Sequence, residues 1–423
     1  MSDTIRSAAF QRAVCFILFL ASVLLYANRV TFTQNKPGFE ERFHATAKEY
    51  GHAERLFNYG FAFGGLIFGM IADAVSIRWL YPLVLLIWSL AGAMSGVVSS
   101  LEAYGACRLV LGLFEAAHWP CALRMTQRTF LPADRAWGNG ILQSGASVGQ
   151  VLTPWLIIAF AGTAEHWRMP YLIVGLLGIP WALLWWSTVR EDDVQRPVIQ
   201  AREEPSGQEH LQEIQEPGLL SIFLGRRYWI LLFLVLSINV PWHCLRVWMP
   251  DSLQSVHGYT KLATDSFSSL YYLAACVGSI AAGWLPAQLI SRGMAIRTAR
   301  LTAFLIFSLA VALLVPAVWI PSGPYLLTAL MFVAAGSLGL SPLYYTLTQE
   351  LSGKNQGKVG GSLSFCNWMV IGFLQAEMGS RVKNDPTIHP WIFAGVGILP
   401  LIGWLVLVTC WRNAPRADSS AAH

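Results

Sequence analysis

Charge is scarce in this chain. Asp, Glu, Lys and Arg make up only 13% of its 423 residues against 55% hydrophobic ones, and no soluble domain of that length covers such a chain with polar surface. Cysteine is sparse and unpatterned. The seven residues Cys15, Cys107, Cys121, Cys244, Cys276, Cys366 and Cys410 show no C-x-x-C spacing and all fall in apolar segments, so they read as small packing residues, not as disulfides or a metal site. H-x-x-x-H spacing and close Ser-His pairs are lacking in those segments too, and the adjacent Asp192 and Asp193 sit in a hydrophilic stretch as a solvated charge run. This argues against an integral-membrane enzyme, and no cofactor or metal is expected. The first apolar run has no small-x-small cleavage site after it; YANR stands there instead, so it reads as a retained anchor. The net charge of +5 gives no reason to invoke nucleic acid.

What the chain has in abundance is apolar segments near the ~20 residues that cross a bilayer as a helix. About twelve occur, at 13–33, 55–75, 79–99, 103–127, 137–161, 168–189, 228–249, 264–290, 298–319, 323–348, 358–380 and 390–411. With the N-terminus inside, inner loops and span ends hold eighteen Lys and Arg and the outer ones eight. That bias places both termini in the cytoplasm, and it suits a bacterial inner membrane.

The longest hydrophilic interior stretch is EDDVQRPVIQAREEPSGQEHLQEIQEPG, 191 to 218. It divides six spans from six: an N-terminal bundle over 1–190, a cytoplasmic linker over 191–226 and a C-terminal bundle over 227–423. The halves echo each other, because GMIADAVSIR runs from Gly69 to Arg78 and GWLPAQLISR from Gly283 to Arg292, both offset by 214 residues. The expected fold is all-α, with twelve transmembrane helices in two six-helix bundles related by a pseudo-two-fold axis around a midplane cavity.

Against that apolar background a few polar residues stand out. CRLVLGLFEAAHWP, 107 to 120, carries Arg108 and Glu115 two helical turns apart, on one face and roughly 10 Å apart along the axis. Charge at mid-bilayer is costly, about 2.5 to 3.5 kcal/mol, which drives such a face towards a watery cavity; an ion pair that orients the bundles is the structural alternative. LLYANRVTFTQ adds Asn28 and Arg29, and SINVPWHCLRVWMP adds Asn239, Trp242, His243 and Arg246; both Arg29 and Arg246 lie near an outer span end, where snorkelling competes with facing the cavity. Cavity-facing guanidinium points to an anionic ligand, since it binds carboxylate or phosphate through two parallel hydrogen bonds. Tyr59, Gln143, Tyr271, Tyr272 and Asn367 would serve a hydroxylated solute. For Glu115, low dielectric favours a neutral carboxyl group and a nearby Arg the charged one. An anion on the Arg changes that balance, linking proton and substrate binding. His118 reads as a hydrogen-bonded helix histidine, and Glu377 as a rival carrier or a hydrated surface group.

At these residues the chain resembles the anion:cation symporter branch of the major facilitator superfamily, whose bacterial members include hexuronate and aldonate importers. The likeness spans nearly the full length, most specifically CRLVLGLFEAAHWP, ADRAWGNGILQSGASVGQVLTP, EHWRMPYLIVGLLGIPWALLWW and QELSGKNQGKVGGSLSFCNW. The resemblance implies a monomeric secondary transporter of a small organic anion, a sugar acid, with Arg108 and Arg29 on substrate or gate and Glu115 carrying the proton. GMIADAVSIR matches the family's loop motif in Gly69, Asp73 and Arg78, which implies a gating latch at Asp73 and Arg78. Asn28 stands where these symporters commonly have Asp, and Cys276 and Ala287 also replace expected Asp residues. Uniport, exchange and sodium coupling therefore stay open beside proton symport, as does a transport-like sensor.

Overall fold

The protein is described here by a computed structural model that covers residues 7–34, 36–160, 167–203, 209–213, 216–384 and 389–411. Arg6, Arg412 and Arg416, which contribute to the charge bias, lie outside the described residues.

Twelve helical columns of membrane-spanning length follow one another among the described residues. In the first half they are Ala8–Gln34, Ala47–Ala74, Ile77–Ser95, the broken column Leu101–Glu115 with His118–Thr129, Arg135–Phe160, and Met169–Leu176 continuing as Gly178–Thr188. The second half has Arg226–Ser255, Lys261–Ser291, Ile296–Ala312 continuing as Leu314–Ala317, Pro324–Thr348, Gln356–Asn384, and His389–Gly397 continuing as Leu399–Cys410. Nine of these columns are long and apolar enough to cross a membrane. The fourth, fifth and eleventh fall short because they carry the polar residues that a bundle interior needs. Proline sets the break in the fourth: Pro120 has no N–H for the carbonyl of residue 116, so the helix stops at Glu115 and restarts at His118.

Six spans precede the linker and six follow, so the start of the first span, the linker and the end of the twelfth lie on one side, called here the linker side. The linker departs from the all-α expectation. Ile199–Glu203 and Glu209–Glu213 pair antiparallel, in register Ile199↔Glu213 through Glu203↔Glu209. Five-residue strands in a Glu- and Gln-rich segment offer little hydrophobic alternation to read, which is why the sequence pattern did not announce them.

The two halves meet most closely on the linker side, backbone against backbone. The second span crosses the eleventh so tightly that a Cβ on Gly69 would lie 2.4 Å from the carbonyl oxygen of Gly357, and one on Gly357 would lie 2.3 Å from that of Gly69. The fifth span crosses the eighth at Gly140 and Gly283, where Ser279 Oγ donates to the Gly140 carbonyl at 2.9 Å. Only residues without side chains permit such approach in an apolar medium, where packing drives helix association. The two repeat glycines, Gly69 and Gly283, thus occupy symmetry-equivalent crossings.

Polar groups complete the closure. Asp73 accepts from the backbone N–H of Gly357 and of Lys358, each at 2.8 Å, and from Arg124 Nη1 at 2.7 Å. Gln127 donates to the carbonyls of Gln349 and Ser352, at 2.6 and 2.9 Å, while Gln349 donates to the Leu123 carbonyl and to Thr126 Oγ1, at 2.8 and 2.7 Å. Arg78 stays within its own half, donating to the Val189 carbonyl at 2.7 Å. The latch expected at Asp73 and Arg78 is corrected accordingly: Asp73 bridges the halves with Arg124 as its cation, and Arg78 does not, because it lies beyond the end of the second span and faces the sixth. Gly357→Val should therefore prise the linker side open. Labelling of a Leu123→Cys reporter by an impermeant thiol reagent from that side should accelerate severalfold, and an unchanged rate would contradict the closure described.

Candidate functional site

Above the closed seam lies an open cavity between the halves. The first span contributes Tyr26 and Arg29, the fourth Trp119, the fifth Gln143, the seventh Asn239, Trp242 and His243, the tenth Tyr344 and Tyr345, and the eleventh Gln356, Ser364, Asn367 and Trp368. Apolar and aromatic walls with a few convergent polar groups are the usual make-up of a small-molecule site. Its floor is polar: Tyr345 Oη donates to Gln143 Oε1 at 3.0 Å, across the two halves, and Trp119 packs on the Tyr345 ring at 5.5 Å.

Arg29 is the cationic group of this cavity wall. Its Nε donates to Glu115 Oε2 at 3.1 Å, while its Nη2 and Glu115 Oε1 have no partner among the described residues. The guanidinium carbon lies 4.4 Å from the Phe61 ring centroid, 5.1 Å from Phe57 and 5.3 Å from Tyr26. Those rings hold the cation by its faces and leave its edge free for an in-plane acceptor. Glu115 is fully buried behind it. The pair therefore has one half turned to the cavity and one half sealed in protein.

Arg108 corrects the expectation that one face of the fourth span carries both charges to the cavity. It lies outside the cavity wall, its Nη2 donating to Glu54 Oε2 at 2.7 Å, its guanidinium between Phe32 at 3.9 Å and Phe57 at 4.4 Å. Its partners come from the first and second spans, and Phe32 also belongs to an aromatic cluster with Tyr50, Tyr104 and Phe39, the last from a helix that periodicity did not reveal, Lys36–Phe43. Glu54, Phe32 and Phe57 hold Arg108 away from the cavity. Tyr59 is a second correction: it is 57% exposed on the outside of the bundle, where its ring suits the lipid boundary. Tyr271 is buried and stacks on Trp242 at 6.1 Å, and Tyr272 packs edge-on to the same indole; both stand behind the wall as its support. Gln143 and Asn367 do line the cavity.

Asn28, in the position usually held by Asp, donates to the Leu24 carbonyl at 3.1 Å and packs against Gly92 of the third span. An amide suits this buried helix crossing. Both ring nitrogens of His118 are engaged, by Ser22 Oγ at 3.1 Å and Tyr81 Oη at 2.7 Å, which fits a structural histidine. Sequence reasoning missed Trp119, Gln356, Ser364 and Trp368. A stripe of small and polar residues at 356, 360, 364 and 367 marks one face of the eleventh span and was the available signal.

A family model described as Major Facilitator Superfamily matches residues 18–375. The chain belongs to that superfamily. It is 25% identical over 393 residues to a D-galactonate transporter of Escherichia coli O6:H1, covering 86% of this chain and 89% of that one. To the hexuronate transporter of Escherichia coli (strain K12) it is 22% identical over 411 residues, 95% of this chain and 94% of the relative. Among solved structures, the proton:xylose symporter XylE bound to a bromodeoxyglucose superposes with a TM-score of 0.73 at 11% identity, covering 95% and 96% of the two chains. The superfamily has twelve helices in two bundles, so the chain is a multi-pass membrane protein of a transporter family and not an enzyme. The resemblance to the anion:cation symporter branch is borne out by the sugar-acid transporters among its relatives.

Proposed function

We propose that this protein is a secondary transporter that imports a small sugar acid, a hexuronate or an aldonate, across a bacterial inner membrane by alternating access, with its linker side in the cytoplasm. One observation carries the reading: the cavity wall holds a guanidinium with a free edge, clamped by aromatic rings and backed by a single buried carboxylate. Arg29 binds the substrate carboxylate through two parallel hydrogen bonds. Gln143, Asn239 and Asn367 take the sugar hydroxyls, and the indoles of Trp119, Trp242 and Trp368 take its C–H faces.

Coupling follows from competition for one cation. A charged Glu115 occupies Arg29; a protonated Glu115 releases it to the incoming anion, so proton and substrate load together. Glu115 is the carboxylate in contact with Arg29, Glu54 is held by Arg108 and Asp73 by the latch, and Asn28 binds no proton. One coupling proton per substrate is the expected stoichiometry. In this reading the closed seam is one end state of the cycle, and Asp73 is the bond that must break on the way to the other. The family likeness supports transport of organic anions, since relatives across nearly the whole length are named for galactonate and hexuronate. The test is uptake into proteoliposomes of galacturonate and galactonate with an imposed pH gradient, with sodium and potassium media compared. Accumulation that follows the pH gradient in either medium supports the scheme; accumulation that needs sodium removes the proton from it, and no uptake of any organic acid rejects the function.

A further inference from the structure

One polar side chain of the cavity wall has no task in this scheme. His243, on the seventh span, lines the cavity and is only 8% exposed. Neither nitrogen of its ring hydrogen-bonds to a described residue. Nδ1 is sealed from solvent without a partner, whereas Nε2 is not sealed and is therefore the ring nitrogen that meets the cavity. The buried His118 behaves otherwise, with both ring nitrogens engaged by Ser22 and Tyr81. Amides of the cavity wall are partly committed as well, Gln143 accepting from Tyr345 Oη and Asn239 donating to the Val235 carbonyl. A buried ring with its polar atoms unspent is costly unless a ligand completes it.

What holds the ring is packing. It meets Trp368 edge-on, with centroids 5.1 Å apart. The His243 backbone carbonyl accepts from Gln375 Nε2 at 3.0 Å, while Gln375 Oε1 accepts from Trp248 Nε1 at 2.8 Å. The seventh and eleventh spans are thereby tied together at this level, and the imidazole is placed without use of its own nitrogens. The Trp368 indole also stands 5.9 Å from the Arg29 guanidinium carbon and 5.0 Å from the Phe61 ring, so one ring of the second half lies beside both the anion anchor and the histidine. The 214-residue offset of the repeat carries Arg29 onto His243, and both residues line the cavity, one from each half. An uncharged imidazole presents one N–H donor and one bare acceptor nitrogen; a hydroxyl, donor and acceptor at once, satisfies either, whereas a carboxylate satisfies only the donor.

We infer that His243 is a specificity-determining residue: with the substrate carboxylate on Arg29 and the carbon chain against Trp368, His243 hydrogen-bonds one hydroxyl of that chain, so the site rejects acids that carry bare carbon there. The inference rests on the proposed organic-anion function and deepens it, by naming the residue that separates polyhydroxylated acids from their deoxy analogues. A site built to bond a hydroxyl discriminates against a ligand lacking it, since the protein's own polar atom is then left buried and unpaired.

The test is equilibrium binding to the purified full-length protein of galactonate or galacturonate, whichever binds more tightly, and of each of its monodeoxy analogues. In the wild type at least one analogue should bind about tenfold more weakly than the parent acid. His243→Phe, which keeps a ring against Trp368 and removes both nitrogens, should weaken the parent acid by about tenfold and leave that one analogue within about twofold of its wild-type affinity. The remaining analogues should weaken as the parent does. His243→Gln, which keeps a donor and an acceptor, should recover part of the loss. Wild-type affinities that are equal for the parent and all its analogues overturn the inference without recourse to any variant, and leave the proposed function standing. A His243→Phe effect that is uniform across parent and analogues, as a purely structural role would give, overturns it as well, and so does the absence of any effect. If neither acid binds, the proposed function and the role of His243 fail together.

Discussion

Arg29→Ala is expected to abolish concentrative uptake and to weaken anion binding by more than about a hundredfold. The charged hydrogen bonds it would remove are worth about 3 kcal/mol. Two effects must be separated, because the substitution also strips Glu115 of its partner. A buried carboxylate left alone destabilises a protein by about 3 to 5 kcal/mol, and the protein would be expected to relieve this by keeping Glu115 protonated. The double variant Arg29→Ala with Glu115→Gln isolates the ligand term: its thermostability should recover towards the wild type while its affinity stays lost. Arg29→Lys should recover little of the affinity, since a point charge lacks the fork that Arg29 presents between Phe61 and Tyr26. Binding within about threefold of wild type in the double variant, measured by calorimetry, would remove Arg29 from the anchor role.

Glu115→Gln is the second large effect, and it has the opposite signature. Glutamine fills the space of a protonated glutamate and never competes for Arg29 as an anion. Binding should therefore persist and lose its dependence on pH. Counterflow exchange, which needs only loaded re-orientation, should continue at near wild-type rates, whereas accumulation driven by a pH gradient should collapse to equilibration. The wild-type expectation has a definite sign: anion affinity falls as pH rises, because the charged Glu115 retakes Arg29. Parallel pH profiles for wild type and Glu115→Gln, or pH-driven accumulation by the variant, would assign the coupling proton elsewhere.

The fold was legible because its determinants are repetitive. Apolar length, the basic bias of one set of loops, the hydrophilic linker and the 214-residue echo all report on a bundle that lipid allows few alternatives. The short hairpin in the linker left no such trace. The site was only half legible, and the reason is tertiary. Arg108 and Arg29 look alike as isolated intramembrane arginines; what separates them is the partner each finds in three dimensions, Glu54 and Phe32 for one and Glu115 and Phe61 for the other. Glu54 gave no hint of its role, since a glutamate near a span end is ordinary. Tyr59 illustrates the same limit from the other direction, because one residue's rotation about a helix exchanges cavity for lipid. Gln143 and Asn367 were readable since each is an amide deep in an apolar run, where an unsatisfied group is expensive.

The glycine crossings have a mechanical implication. Interlocked side chains must change rotamer one after another to come apart, whereas bare backbones in contact can roll or slide over each other as rigid rods. At Gly69 with Gly357 and at Gly140 with Gly283 the backbones meet with few side chains to unmesh, so discrete polar bonds, among them those of Asp73, Gln127, Gln349 and Ser279, must break for the seam to part. The rate of turnover can then be tuned by single polar substitutions at the seam while the shape of the binding chamber is left intact.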